Sequence, residues 1–252
     1  MKILRKLKKD ESGDGKFIAS IRYGLGEIGL LVVGILFAIQ IDDWQGEATL
    51  NQENQGLLLQ LTDDLKDDKQ RFESLSLAGM SNYISLEEAI SNCDSALAFT
   101  YKGLDSSSIY TILGFDLSAG HALLLVKDGA YSELLNTAKL YTVGSDSLVM
   151  KIKDYYTEAK TEDYFNKANS EYEQRKREQI HFWARIKRDR KYSKNFSLKN
   201  YPWLFDPYSE KYVLFQDAIL EMRKAQGNNY TKFLYMRDEA EKLINAIQKE
   251  LE

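Results

Sequence analysis

Residues 23–41 read YGLGEIGLLVVGILFAIQI and carry one charge, Glu27. No other feature constrains this chain as strongly. As a helix rising about 1.5 Å per residue, the run reaches roughly 28 Å, close to the roughly 30 Å hydrocarbon core of a bilayer. Seven basic side chains (Lys2, Arg5, Lys6, Lys8, Lys9, Lys16, Arg22) precede it against three acids (Asp10, Glu11, Asp14), while Asp42, Asp43 and Glu47 follow it. The positive-inside rule then predicts a basic cytoplasmic tail over 1–22, a transmembrane helix over 23–41 and a body over 42–252 outside the cytoplasm. Tyr23 and Trp44 fall at the two interfaces, where amphipathic aromatic rings anchor. A buried core helix is the bland alternative. A cleaved signal peptide is the sharper one, with Gly46 and Ala48 small at a cleavable spacing. The run exceeds the roughly 7–15 apolar residues usual for a signal peptide, so an uncleaved signal-anchor is expected.

At 100° per residue, Glu27, Leu31, Gly34, Ala38 and Ile41 share one face of that helix. Gly34 and Ala38 form a small-xxx-small pair that admits a neighbouring helix. Glu27 is costly in lipid unless paired or neutral. It reads either as a polar lock or ion-pathway residue of a helix–helix interface, or as a side chain reaching Arg22 and the headgroups. Gly24-Leu25-Gly26-Glu27-Ile28-Gly29 matches a dinucleotide fingerprint, but the fingerprint requires a preceding strand and a βαβ unit. A basic tail and a membrane helix supply neither.

The stretch Tyr23-Gly24-x-Gly26-Glu27-Ile28, Val33-Gly34-Ile35, Ala38-Ile39-Gln40-Ile41 and Trp44 resembles the N-terminal signature of a family of uncharacterised Bacteroidota membrane proteins, a domain family of unknown function. Asp42-Asp43 stands where that family has Asn-Asn, and Gly29 where an aliphatic residue is usual. Ala130-Tyr131-x-Glu133-Leu134, Lys139-Leu140, Leu148 and Ile152-x-x-Tyr155-Tyr156 are similar to its middle block, with Thr137-Ala138 replacing Ser-Gly. Glu241, Leu243-Ile244, Ile247 and Glu250-Leu251 are similar to its end. The resemblance implies a bacterial inner-membrane anchor with a helical periplasmic body, and it implies no activity.

The body reads as all-α. Two prolines in 252 residues leave helices largely uninterrupted. Leu58, Leu61, Leu65, Phe72 and Leu75 recur at helical spacing over 45–79, with Asp68 interrupting. A second helix is predicted over 81–99. The turn cluster 102–108 offers Asp or Ser as a cap. Residues 121–126 are ambiguous between strand and helix, with helix favoured. A turn at 144–146 precedes a long helix over 147–190, with Leu148, Ile152, Tyr155 and Ala159 on one side. After a loop at 195–206, Asp206-Pro207 should start a helix that Gly227-Asn228-Asn229 stops, and a last helix should run from Thr231. The expected fold is thus all-α: one N-terminal transmembrane helix continuing into an elongated helical-bundle or coiled-coil-like extracytoplasmic domain.

Chemistry is not legible. One cysteine, Cys93, excludes a disulfide framework and a Cys cluster, and two histidines argue against a His-based metal centre. The sequence holds no HExxH, no G-x-S-x-G, no P-loop and no Cys-x-x-Cys. His121, beside a run of leucines, reads as a core histidine, and His181 as a surface one. Asp10-x-Ser12-x-Asp14-Gly15 begins like a calcium loop, but Ile21 stands where the ligand Glu is required. Sequons at Asn195 and Asn229 carry little meaning in a bacterial protein. No catalytic residue, metal ligand or cofactor is predicted.

The best interaction signal is the basic stretch 173–194, where Arg175, Lys176, Arg177, Arg185, Lys187, Arg188, Arg190, Lys191 and Lys194 face only Glu173, Glu178 and Asp189. Outside the cytoplasm nucleic acid is not an expected partner. An anionic lipid, glycan or acidic protein is one reading. Internal packing against the acidic segment 42–94, or plain solvation, is the other. The expectation is a non-enzymatic anchored scaffold, sensor or accessory subunit of an envelope complex, with membrane lipid and either a second copy or an envelope protein as partners. The alternative is a homo-oligomeric channel or transport element built on the Glu27, Leu31, Gly34 and Ala38 face.

Overall fold

Every regular element of the chain is helical among the described residues, which in this computed structural model are 4–80, 83–120 and 122–252, with side chains from residue 30 onward except those of Asp43 and Glu47. The helices are α1 (Leu4–Glu73), α2 (Leu86–Lys102), α3 (Ser106–Gly114), α4 (Gly129–Asn136), α5 (Asp146–Gln179), α6 (His181–Tyr192) and α7 (Glu210–Leu251). A π turn at Ser74–Ala78 and single 3₁₀ turns at Lys139–Tyr141, Leu198–Asn200 and Pro202–Phe205 complete the set. The all-α expectation therefore holds. The chain divides into two compact units, Met1–Asn54 and Gln55–Glu252.

Within Gln55–Glu252, α5 and α7 run antiparallel. The Ser145 hydroxyl donates to Glu250 at 2.8 Å at one end of the pair. Asn169 donates to Asn229 at 3.1 Å further along, and Tyr172 to Glu221 at 2.9 Å beyond that. Two apolar cores flank this pair. The first gathers Leu58, Leu61, Leu65 and Phe72 of α1, Leu134 of α4, Leu148, Ile152 and Ala159 of α5, and Phe233, Met236, Leu243 and Ile247 of α7. Phe72 and Phe233 stack there with centroids 5.8 Å apart. The second gathers Cys93 and Ala96 of α2, Ile109 and Ile112 of α3, Trp183 and Ile186 of α6, and Phe215, Ile219 and Met222 of α7. One helix, α7, thus serves both cores with its two halves.

Helix starts follow side-chain chemistry. Ser85, Asp105, Ser145 and Ser209 each accept a hydrogen bond from a backbone N–H of the first turn they precede, satisfying donors that have no partner inside the helix. At α3 the bond is reciprocated. The Asp105 carboxylate accepts from the Ser108 N–H at 2.7 Å, and the Ser108 hydroxyl oxygen accepts from the Asp105 N–H at 2.9 Å.

The structure departs from the sequence reading in five places. Of the run 121–126, expected as helix, residues 122–126 belong to an irregular strap made of 115–120 and 122–128 and called the strap over 115–128 below. The expected long helix over 147–190 breaks at Ile180, whose backbone opens to φ −100°, ψ 33°, and Ile180 enters the second core with Trp183 and Ile186. The expected stop at Gly227-Asn228-Asn229 is absent, and α7 passes through it unbroken. Asp206-Pro207 does not begin that helix, because Ser209 is its cap. The second helix starts at Leu86 rather than near residue 81. The expected membrane span finds no support here, since among the described residues no helix is long and apolar enough to cross a membrane. Residues 23–29 of that run lie outside the described side chains.

Candidate interaction surfaces

Where the two cores meet, the inward stripes of α5 and α7 turn polar. The spacing that buries Leu148, Ile152, Tyr155 and Ala159 continues to Asn166, Ser170 and Glu173, and all three are buried. The spacing that buries Phe215, Ile219 and Met222 continues to Gln226 and Asn229 before Phe233 resumes the apolar pattern. In α1, Asp68 interrupts the stripe at 1% exposure. Buried polar groups are costly unless hydrogen-bonded, and most of these find their partner in the strap over 115–128.

The strap lacks a secondary-structure ladder, so side chains satisfy its backbone instead. The Asn166 amide accepts from the Leu124 N–H at 2.9 Å and donates to the Ala122 carbonyl at 3.0 Å. Gln226 repeats this pinch, accepting from the Ala119 N–H at 3.3 Å and donating to the Leu117 carbonyl at 3.0 Å. The Arg71 guanidinium donates to the carbonyls of Leu123 and Leu125. Asp68 accepts the Lys127 N–H on both carboxylate oxygens, at 3.0 and 3.1 Å, and the Tyr156 hydroxyl donates to the Lys127 carbonyl at 3.1 Å. At the other end Lys187 donates to the Phe115 carbonyl at 2.8 Å, Asn92 to that of Asp116 at 3.0 Å, and Glu173 accepts from the Ser118 hydroxyl. At Gly120, where φ is +77°, a Cβ would stand 2.7 Å from the Tyr83 ring, so only glycine fits that turn.

The electrostatics of this seam are those of carboxyls taken out of water. Burial pushes Asp68 up to about 7, against the Lys127 N–H, Arg71 and the Tyr155 hydroxyl, which favour the ionised form. Burial likewise raises Glu173, against the Ser118 hydroxyl and Arg177. Burial pushes the Cys93 thiol up to about 12, which keeps it protonated beneath the Leu117 carbonyl, its acceptor at 3.4 Å.

Several cations of the basic stretch are spent on the same region. Lys187 adds an ion pair to Asp116 at 3.2 Å, and Arg177 donates to the Ser118 oxygen at 3.3 Å. Arg190 donates to the Tyr110 carbonyl at 3.3 Å and lies over the Tyr110 ring. Arg185 pairs with Asp189 at 3.6 Å, Arg175 with Glu171 at 3.8 Å, and Lys176 lies over Tyr172. Arg188, Lys191 and Lys194 are exposed. The acidic segment makes ion pairs to other elements, with Asp67 on Lys127 and Asp94 on Arg223.

The first unit presents a different surface. Leu30, Leu31, Val32, Val33, Ile35, Leu36, Phe37, Ile39 and Ile41 are all exposed, from 49% to 76%, and Trp44 is 73% exposed. Nine apolar residues within twelve positions cover every face of the helix. Gly34 has no atom within 4 Å of where a Cβ would stand, and Ala38 is exposed. The side chains of Tyr23 and Glu27 lie outside the described residues, as does His121.

Asp68, Asn166, Glu173, Gln226 and Asn229 were not singled out by sequence reasoning as a group. Their signal was available as polar residues standing in register with apolar stripes. Comparison with protein-family models, curated proteins and solved structures finds no match for this chain.

Proposed function

We propose that this chain is a non-enzymatic, membrane-anchored interaction protein. In this reading residues 23–41 cross the bacterial inner membrane, 1–22 stay in the cytoplasm, and the helical body works in the periplasm as a scaffold, sensor or accessory subunit of an envelope complex. The observation that carries it is the apolar surface over 30–41, open on every face of its helix. A helix apolar all round belongs inside a protein or in lipid, and no described side chain covers this one. The basic residues before the run and the acids after it support the orientation. Lipid is then the first partner, and a second copy or an envelope protein the next.

The test uses the full-length, C-terminally tagged protein in its native membranes. Alkaline carbonate should leave it in the membrane, and mild-detergent extraction should recover it with a stoichiometric heteropartner. Release by carbonate sinks the anchor. A lone homo-oligomer favours the alternative of a channel or transport element on the Glu27, Leu31, Gly34 and Ala38 face, for which the open space around Gly34 leaves room for a second helix. Ion flux in liposomes lost in Glu27→Gln would then be its mark.

A further inference from the structure

Exposed cations on the long helices recurrently take an acid one turn away. Lys66 pairs with Asp63 on α1, Lys167 with Asp163 on α5, and Lys224 with Glu221 and Lys242 with Glu239 on α7. The outer face of α6 breaks this pattern. Three and four residues from Arg188 stand Ala184, Arg185, Lys191 and Tyr192, and from Lys191 stand Lys187, Arg188, Lys194 and Asn195. Like charges at that spacing repel, and among the described residues no carboxylate answers Arg188 or Lys191. Arg185, its side chain 70% exposed, has only Asp189, whose Oδ2 stands 3.6 Å away and already accepts the Tyr201 hydroxyl at 2.6 Å. The inward cations of α6 are engaged by contrast, Lys187 on the Phe115 carbonyl and Arg190 on that of Tyr110.

At about 100° per residue, His181, Arg185, Arg188 and Tyr192 fall within about 60° of one another, away from Trp183 and Ile186 in the second core. All four are exposed, Tyr192 at 72%. Within Gln55–Glu252, α6 packs on the first half of α7, Trp183 against Phe215 with centroids 4.5 Å apart. The α1 helix packs on the last half, where Phe72 meets Phe233 and Lys69 meets Glu241. The outer face of α6 is thus left to solvent. We propose that it is the docking site for a carboxylate-rich segment of an envelope protein, with Arg185 and Arg188 taking carboxylates and Tyr192 adding contact area. This rests on the reading of the chain as a periplasmic accessory protein and names the chemistry of its partner. A guanidinium fork matches a carboxylate with two parallel hydrogen bonds, and an exposed tyrosine supplies ring surface at small entropic cost. A lipid surface fits less well. A helix that lies on a bilayer sets large apolar side chains beside its cations. Here the flanking residues are Ala184 and Phe182, and the Phe182 ring is turned against Trp203 at 5.0 Å.

The full-length protein in phosphatidylcholine nanodiscs, titrated with a fluorescent glutamate-rich peptide, tests this. The peptide should bind at about 0.02 M salt and more weakly at about 0.15 M, as screening rises. Arg185→Gln combined with Arg188→Gln should weaken binding about tenfold at the lower salt. Arg188→Lys, which keeps the charge but loses the fork, should weaken it by a smaller factor. Lys224→Gln and Lys242→Gln, which remove paired cations on α7, should leave it unchanged. Absence of binding at low salt overturns the site, and so does equal loss in the α6 and α7 variants. Preference for phosphatidylglycerol vesicles, or for a single-stranded oligonucleotide of equal charge, overturns it too. The same holds for a homo-oligomer that the double α6 variant takes apart, because the face then meets a second copy. These substitutions lie on the surface and should leave the circular dichroism spectrum unchanged. The anchor reading fails separately, through release by carbonate, and a released chain is titrated in the same way.

Discussion

At the residue scale, buried side chains of this protein carry backbone bonds that a sheet would carry elsewhere. Asn166 serves one N–H and one carbonyl of the strap at once, a task no apolar residue of similar size can perform. Asn166→Ala should destabilise the chain by about 3 kcal/mol, because two buried backbone groups lose their partner together. Urea unfolding followed by circular dichroism measures it, and a change within about 0.5 kcal/mol, typical of surface substitutions, would mean that water replaces the amide without cost. Such residues escape a reading built on hydrophobic periodicity, which counts Asn166, Glu173 and Gln226 as gaps rather than as inward positions. Asp68 was visible as a break in the stripe of α1, but not as a ligand of Lys127. That contact joins residues 59 apart in the chain, and no local pattern encodes it.

At the element scale, the stripes of α1 and of the first half of α5 were legible, and so was the cap at Asp105. The breaks were not. Ile180 keeps helical spacing with Glu173 before it and Trp183 after it, so periodicity runs straight across the point where the backbone opens. The error at Gly227-Asn228-Asn229 is the reverse, a local stop signal overridden by tertiary contact. Asn229 is bonded to Asn169 and Ser170 on α5, and Gln226 is bonded into the strap, so packing holds helical a segment that intrinsic propensity would end. Gly227 itself is helical and makes no close approach, its nearest neighbour to an added Cβ being the Arg223 guanidinium at 3.9 Å. Gly227→Ala should therefore raise stability by about 0.5–1 kcal/mol, through lost freedom of the unfolded chain. A fall in the urea midpoint would show that the glycine serves a purpose beyond the helix.

At the scale of the whole molecule, the buried carboxyls set how stability depends on pH. Asp68 is held up to about 7, above its ordinary value of 3.8, and Glu173 is raised by the same cause. The folded state thus binds more protons than the unfolded one across that window, and stability should fall as the pH rises from about 4 to about 7 and then level off. Asp105 and Glu221, lowered by hydrogen bonds to Ser108 and Lys224, act with the opposite sign, and their contribution is lost only at more acid pH. Urea midpoints across the range should trace this slope, and Asp68→Asn should flatten it. A midpoint rising with pH over the same range would contradict the burial of Asp68. The strap also bears on how the chain finds its fold. Its clamps come from Asp68, Asn166 and Gln226, positions 59, 42 and 107 residues away from the groups they hold. Closing loops of that length costs entropy before any bond repays it. The helices can nucleate locally, but the strap has nothing to dock on until α1, α5 and α7 have assembled. Its contacts therefore form on the native side of the folding barrier, and weakening them speeds unfolding while leaving the rate of folding nearly unchanged.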